Sequence, residues 1–197
     1  TRRTVHRALR HNLEISPLPD ALPMPDPCHR LDYKTTGLLL CARTVQARLA
    51  LLTMFAERRI HKGYRALVTG RLEGSGTIDA ALDGKASLTH WTAVEHTRSL
   101  HVDWFTTVDL VPVTGRTHQL RRHMADLGHP ILGDEVYTKT KKLLRRQGLF
   151  LASLHLDFEH PITGKAISVS SAEPKKYGVL RERESRRWAA RHPDTAR

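Results

Sequence analysis

The stretch His29-Arg30-Leu31-Asp32-Tyr33-Lys34-Thr35-Thr36-Gly37-Leu38-Leu39-Leu40 passes from a polar loop into an apolar run, with one carboxylate near the boundary. Two interpretations of Asp32 fit this pattern. An aspartate followed closely by Thr and Gly is common in turns, where the carboxylate only accepts backbone N–H bonds. A carboxylate placed between a loop and a buried strand, beside Arg30, is also a candidate nucleophile. The rest of the chain decides between the two.

Helix and strand patterns lie on both sides of this stretch. A short basic helix is predicted over residues 1–12. Five prolines between Pro17 and Pro27 predict an extended connector without regular structure. A buried strand is predicted at residues 37–42, followed by an amphipathic helix. The apolar positions of that helix are Val45, Leu49, Leu52, Phe55 and Ala56.

The second half of the chain alternates less regularly. Strands are predicted at residues 64–68, 89–96, 101–111 and 150–158, with a bulge or register change at 105–107. Apolar residues return to helical spacing after Gly115, and this helix is predicted to stop at Gly128. Helices and strands without a regular βαβ order indicate an α+β domain, built on a mixed, largely antiparallel sheet flanked by helices.

The charge balance indicates a polyanionic partner. The chain has 197 residues, with Lys and Arg exceeding Asp and Glu by 32 to 20, which gives a net charge of +12. This length fits one domain, predicted at residues 1–174, with a basic tail at 175–197. No apolar segment is long enough to span a membrane, so RNA or DNA is the favoured partner.

Two basic runs, at residues 139–146 and in the tail, are predicted to stand apart from the core. A charge run is usually a solvated face. Because Trp188 lies among the arginines of the tail, docking to RNA or to a neighbouring protein is the alternative.

Cysteine and histidine spacing argues against disulfides, metals and cofactors. Cys28 and Cys41 fit neither a disulfide framework nor a zinc pattern, which indicates an intracellular, reducing compartment, either cytoplasm or organelle matrix. His118, His123 and His129 miss the i, i+4 spacing of a helical metal site. No phosphate-binding or dinucleotide motif occurs, so neither a metal nor a cofactor is expected.

Three further segments join the first stretch in a recognisable order. They are Lys62-Gly63-Tyr64-Arg65-Ala66-Leu67-Val68, Gly115-Arg116-Thr117-His118-Gln119-Leu120-Arg121 and Gly128-His129-Pro130-Ile131-Leu132-Gly133-Asp134. Together the four segments resemble the RluA-type family of RNA pseudouridine synthases, over residues 28–170. The resemblance implies a pseudouridine synthase fold and an enzyme that isomerises uridine without a cofactor.

The resemblance also implies roles for individual residues. Asp32 would be the catalytic nucleophile, and Arg121 would be the cation that keeps it ionised. Tyr64 would stack on the flipped uracil or assist proton removal at C5. Leu120 would pack against the pocket wall.

RNA-binding residues follow from the same resemblance. A uridine inside a duplex must be extruded to reach such a site, and Arg30 is the candidate for holding the RNA open. Arg116 and His118 are assigned to RNA binding at the start of the helix, and not to catalysis.

The sequence departs from the family at its beginning. Members usually carry a strand and a Lys-Pro-Ser-Gly-like turn before the basic helix, so the fold is expected to lack the family's first strand. An exposed sheet edge would result, unless a missing segment or a protein partner completes it. Ribosomal RNA is expected as the substrate over transfer RNA. The alternative is a non-catalytic RNA-binding or structural subunit of a ribonucleoprotein that keeps the synthase fold.

Overall fold

A computed structural model describes residues 5–138 and 147–193, except for the side chains of His6 and Arg7. The predicted basic run at 139–146 lies outside these residues. The helices are α1 (Val5–Asn12), α2 (Val45–Ala56), α3 (Gln119–Asp126) and α4 (Lys175–Arg191). The strands are β1 (Ala21–Pro27), β2 (Thr36–Gly37), β3 (Cys41–Thr44), β4 (His61–Thr69), β5 (Ser75–Asp79), β6 (Leu88–Ser99), β7 (Asp103–Pro112), β8 (Leu151–Glu159) and β9 (Ala166–Ser170).

Most of these strands form one mixed sheet. Within the described residues it has seven strands in the order β2-β8-β4-β7-β6-β5, with β9 also paired to β8. The pairing of β2 with β8 is parallel, whereas the other pairings are antiparallel. A separate two-stranded sheet pairs β1 with β3. The predicted α+β class with a largely antiparallel sheet is therefore confirmed.

The core lies on both faces of the central strand β4. Ala66 and Val68 belong to one apolar cluster, which includes Leu120 and Met124 of α3. Leu67 belongs to a second cluster, with Tyr177 of α4. Alternate strand residues point to opposite faces, so β4 is apolar without alternation because helices cover both sides of the sheet.

The basic segment at the end of the chain is docked on the sheet. Tyr177, Leu180 and Glu184 of α4 are buried, and the Glu184 carboxylate accepts a hydrogen bond from the Ser99 hydroxyl at 2.8 Å. The Arg98 guanidinium lies 4.7 Å from the ring centroid of Trp188. The prediction that this segment stands apart from the core is wrong over its described part, because its apolar residues share one helical face.

The proline-rich connector contains a strand, so the prediction of no regular structure was wrong. β1 pairs with β3 through Asp26 and Pro27. Prolines occupy every second position from Pro23 to Pro27. Alternate strand residues direct their N–H groups to the same side, so the missing donors fall on the side away from β3. Proline is tolerated there because, among the described strands, β1 has only one partner.

Two local predictions need correction, and a third is confirmed in one of its two forms. The strand predicted at 37–42 is divided into β2 and β3. Helix α2 buries Leu51 and Met54, whereas Leu49 is 59% exposed, so the predicted apolar face is not the buried one. The register change predicted at 105–107 is confirmed at Thr107: Val108 pairs with Ala93 and Thr107 with Glu95, so the extra residue lies in β6.

The outer edge of β8 is covered by the chain itself. Residues Ala152 and Ser153 pair with β2, and the segment from His155 to Glu159 pairs with β9. Among the described strands, five have a single neighbour: β1, β2, β3, β5 and β9. Completion of a sheet edge by another segment or partner stays a prediction. In the part of the chain that the structure describes, no helix is both long and apolar enough to cross a membrane.

Candidate active site

A cleft of about 520 Å³ opens between the Asp32 loop, the end of α2, β4 and the connection from β7 to α3. Most of the predicted site residues line it: Asp32, Tyr64, Arg30, Leu120 and Arg116. The other predicted residues, Arg121 and His118, are not among its lining residues. The fold thus brings together side chains that are more than eighty positions apart in the chain.

The Asp32 loop is clamped to the sheet. The Thr35 N–H donates to the Asp32 carbonyl at 2.9 Å and closes a turn, in which Lys34 has φ +69°. Beyond the turn, the Leu38 N–H donates to the Ser153 carbonyl at 2.9 Å. Ser153 lies opposite Tyr64 in the register of β8 and β4. The backbone of Asp32 therefore forms the turn, and the residue also lines the cleft.

Gly37 makes this clamp sterically feasible. Its φ is +108°, and a Cβ atom built there would lie 2.0 Å from the Ser153 carbonyl oxygen. That separation is far inside van der Waals contact, and the obstacle is backbone that cannot rotate away. Any side chain at Gly37 would thus push β2, and the Asp32 loop before it, off β8.

Gly37→Ala is expected to lower the free energy of unfolding by about 3 kcal/mol or more, since it adds a backbone clash to the strain of positive φ. Urea denaturation measures this change. Gly84→Ala is the matched control, because Gly84 has φ +70° and nothing within 4 Å of its built Cβ. The control is expected to cost only about 1–2 kcal/mol. Equal costs for both variants would show that the close approach of β2 to β8 is not a constraint.

Tyr64 is partly buried on β4 and lines the cleft. Burial is the main cause that raises the pKa of its hydroxyl, and the negative charge of Asp32 adds to the increase. The Ser153 hydroxyl acts in the opposite direction, although it forms no well-aligned hydrogen bond with Tyr64. The net shift is upward, so the phenol is protonated at neutral pH.

Arg121 forms a buried ion pair with Asp134, a residue that sequence reasoning gave no role. Its Nε donates to Asp134 Oδ2 at 2.7 Å, and its Nη2 donates to Oδ1 at 3.0 Å. The two side chains are 7% and 0% exposed. The pKa of Asp134 is lowered, because these bonds and the N–H groups of Val136 and Tyr137 outweigh the opposing effect of burial.

We expected Arg121 to pair with Asp32. Its direct partner is Asp134, and Asp32 contributes a weaker electrostatic attraction. Burial acts to lower the pKa of Arg121, but both carboxylates favour the charged form and the net shift is upward. Arg121 thus lies outside the cleft lining, where Asp134 holds its guanidinium in place and Asp32 interacts with it electrostatically.

The start of α3 holds the remaining predicted residues. Arg116 lines the cleft, and its Nε donates to the Ala86 carbonyl at 3.0 Å. His118 is the N-cap residue with φ 53°, and its Nδ1 forms a 3.0 Å hydrogen bond with the Tyr137 hydroxyl. His118 thus faces Tyr137, whereas Arg116 is available to a ligand in the cleft.

His29 fixes the other end of the Asp32 loop. Its Nε2 accepts a hydrogen bond from the Leu40 N–H at 3.0 Å. Burial is the main cause that lowers the pKa of His29 to about 4; the Arg30 backbone acts to raise it, and the charge of Lys62 lowers it further. The imidazole is therefore neutral at pH 7 and serves as an acceptor.

Sequence reasoning missed two further cations in the cleft. Lys62 and Arg58 line it together with Arg30 and Arg116, and among the described lining residues Asp32 is the one acid. Lys62 was detectable in principle, because it is two positions before Tyr64 and alternate strand residues share a face. Four cations around one carboxylate make the cleft attractive to a polyanion.

The histidines whose spacing was compared with that of a metal site have hydrogen-bond partners within the fold. His123 lies 2.9 Å from the Thr89 hydroxyl, and His129 Nδ1 lies 2.8 Å from the Thr69 carbonyl. In the described ranges, no group of three or more His, Cys, Asp or Glu side chains is arranged to hold a metal ion.

Comparison with known proteins identifies the family of the chain. Residues 2–126 match the RNA pseudouridylate synthase family. The chain is 38% identical over 162 residues to the dual-specificity RNA pseudouridine synthase RluA of Pasteurella multocida, covering 74% of this chain and 72% of that protein. It is 33% identical over 177 residues to the ribosomal large subunit pseudouridine synthase D of Zymomonas mobilis subsp. mobilis, covering 77% and 54%.

A solved structure shares both fold and sequence with the chain. The human RNA pseudouridylate synthase domain containing 1 superposes with a TM-score of 0.69 at 32% identity, covering 77% of this chain and 70% of that one. The chain spans about half the length of the D-type relatives that it matches.

Proposed function

Because this chain belongs to the RNA pseudouridylate synthase family, we propose that it isomerises uridine to pseudouridine in structured RNA. The observation that carries this proposal is the cleft, which combines the carboxylate residue Asp32, the aromatic ring of Tyr64 and a cationic lining. The reaction breaks the N1–C1′ bond and forms a C5–C1′ bond. The C5 proton is lost and N1 gains a proton, so the composition of the base is unchanged.

Asp32 is assigned the role of nucleophile. Its carboxylate attacks C1′ as the N1–C1′ bond breaks, and the base leaves with the bonding electron pair. The base then rotates, C5 attacks C1′, and the carboxylate is released. Arg121 supports the ionised carboxylate through its electrostatic attraction, while its bonds to Asp134 keep the guanidinium in place.

Tyr64 is assigned to stacking on the uracil. The raised pKa of its hydroxyl disfavours the phenolate that proton removal at C5 would need. Its ring can pack against the base without a change of protonation. The structure thus supports stacking over general-base catalysis, the two roles that the sequence left open.

The substrate is proposed to be ribosomal RNA. The base must leave its stack to enter the cleft, and we assign Arg30, which is exposed and lines the cleft, to holding the opened RNA. The names of several relatives specify the large ribosomal subunit. The dual-specificity name of the Pasteurella relative makes transfer RNA the comparison substrate.

The experiment that tests this function incubates the chain with ribosomal and transfer RNA transcripts and maps pseudouridine chemically. We expect a discrete modified uridine in ribosomal RNA. Tight binding of these RNAs with no modification in any of them would favour the non-catalytic RNA-binding subunit instead.

RNA binding is expected to weaken steeply with salt. Each phosphate of a single strand that a cation neutralises contributes about −0.7 to the slope of log K against log salt concentration. Contacts of the four cleft cations with RNA would therefore give a slope of about −3. These cations are Arg30, Arg58, Lys62 and Arg116. Fluorescence anisotropy across a KCl series measures the slope, with sucrose as the uncharged control. A flat response would contradict an electrostatic RNA interface.

A further inference from the structure

Lys62 is a partly buried cation that has no partner among the described residues. It lies on β4 and lines the cleft, and burial lowers the pKa of its ammonium group. Among the described residues it takes part in no hydrogen bond or ion pair. A buried charge without a counter-ion is costly, because the lost hydration is not replaced.

A comparable lysine elsewhere in the chain has hydrogen-bond partners. Lys176 is also partly buried with a lowered pKa, but its Nζ donates to the Leu149 carbonyl at 2.6 Å and to the Gln147 carbonyl at 3.3 Å. Among the described residues, the buried cation Arg121 and the partly buried cation Arg181 have carboxylate partners. Lys62 is thus the exception, and it is the one of these four that faces the cleft.

The surroundings of Lys62 leave space for an anion. Its Nζ is 3.8 Å from where a Cβ of Gly115 would lie, so this side of the ammonium borders a residue without a side chain. His29, whose pKa is about 4, is neutral and offers no counter-charge. Asp32, the acid of the cleft lining, forms no ion pair with Lys62 within the described contacts.

We infer that Lys62 binds the phosphodiester next to the uridine whose base enters the cleft. This inference rests on the proposed function. Lys62 and Tyr64 lie on the same face of β4, about 7 Å apart along the strand. With the base stacked on Tyr64, the phosphate joined to it through the ribose reaches the ammonium group. A compact point charge with three donors suits a phosphate.

Binding is tested with a short single-stranded RNA that contains one uridine, in an Asp32→Asn background that prevents turnover. Lys62→Met is expected to weaken binding about 10- to 100-fold, the usual range for a charged hydrogen bond, and to reduce the salt slope by about 0.7. Lys165→Met is the control, because it removes the same charge from an exposed residue outside the cleft. An equal loss in both variants would overturn the inference.

A neutral methylphosphonate, placed on either side of the uridine in turn, identifies the phosphate. At one of the two positions it is expected to weaken binding to the Lys62 protein, and to have no further effect on the Lys62→Met protein. Additive losses at both positions would contradict direct contact. If inorganic phosphate binds in a Lys62-dependent manner but the methylphosphonate weakens RNA binding at neither position, Lys62 belongs to a site for free phosphate. That result would also overturn the inference.

Stability separates a ligand-binding lysine from a structural one. Lys62→Met is expected to leave the urea midpoint unchanged or to raise it, because it removes an unpaired, partly buried charge. A midpoint clearly below that of Lys165→Met would identify a structural role and overturn the inference. Lys62-dependent RNA binding by a wild-type protein that forms no pseudouridine would refute the proposed function and leave this inference standing.

Discussion

Asp32→Asn is expected to abolish pseudouridine formation, with a fall of at least about 10³-fold in the single-turnover rate. The amide has nearly the shape of the carboxylate, but it is uncharged and a poor nucleophile. The turn that holds residue 32 uses its backbone carbonyl, which the substitution leaves in place. Chromatography of nucleosides from digested RNA measures the rate, since uridine and pseudouridine have the same mass.

Two controls make this result specific. Asp79→Asn makes the same chemical change on the exposed strand β5 and is expected to retain the wild-type rate. RNA binding by Asp32→Asn is expected to persist, because the cleft keeps its cations. A rate within about tenfold of wild type would rule out Asp32 as the nucleophile.

Arg121→Met is expected to lower the free energy of unfolding by about 3–5 kcal/mol and to abolish activity. The substitution leaves the Asp134 carboxylate buried without its cation, which is the costly way to break a buried ion pair. Activity is lost because Asp32 loses the positive charge nearby. Urea denaturation and the nucleoside assay measure the two effects.

Neutralising Asp134 separates the two effects. In the double variant Arg121→Met with Asp134→Asn, most of the stability is expected to return, since no buried charge remains, whereas activity stays absent. Recovery of activity in the double variant would show that Arg121 acts only through stability.

The pH dependence of the free energy of unfolding provides a second check of this ion pair. The lowered pKa of Asp134 contributes stability above about pH 3.9, which is lost as the pH falls through its folded pKa.

The sequence predicted elements whose pattern is local. The apolar run of β4 and the helical spacing of α3, ended by Gly128 at φ +89°, needed no knowledge of distant partners. Elements that depend on a partner were misjudged. Prolines predicted a connector where β3 supplies a strand partner for β1, and the charge of α4 obscured the face that buries Tyr177 and Leu180.

The candidate site divides in the same way. The order of the motifs along the chain indicated which residues belong to one site, and Asp32 and Tyr64 both line the cleft. The pairing of Arg121 with Asp134, thirteen positions away, depends on how the chain returns after α3, which no spacing rule specifies. Lys62 was overlooked because a missing partner is a property of the folded environment, and a sequence does not show it.

The most direct test of the central claim uses RNA labelled with tritium at C5 of uridine. Formation of the C5–C1′ bond releases the C5 hydrogen to water, so the wild-type protein is expected to release tritium in step with pseudouridine formed. Asp32→Asn is expected to release none. Absence of release from any ribosomal or transfer RNA that the folded wild-type protein binds, or equal release by Asp32→Asn, would contradict the claim that Asp32 isomerises uridine in RNA.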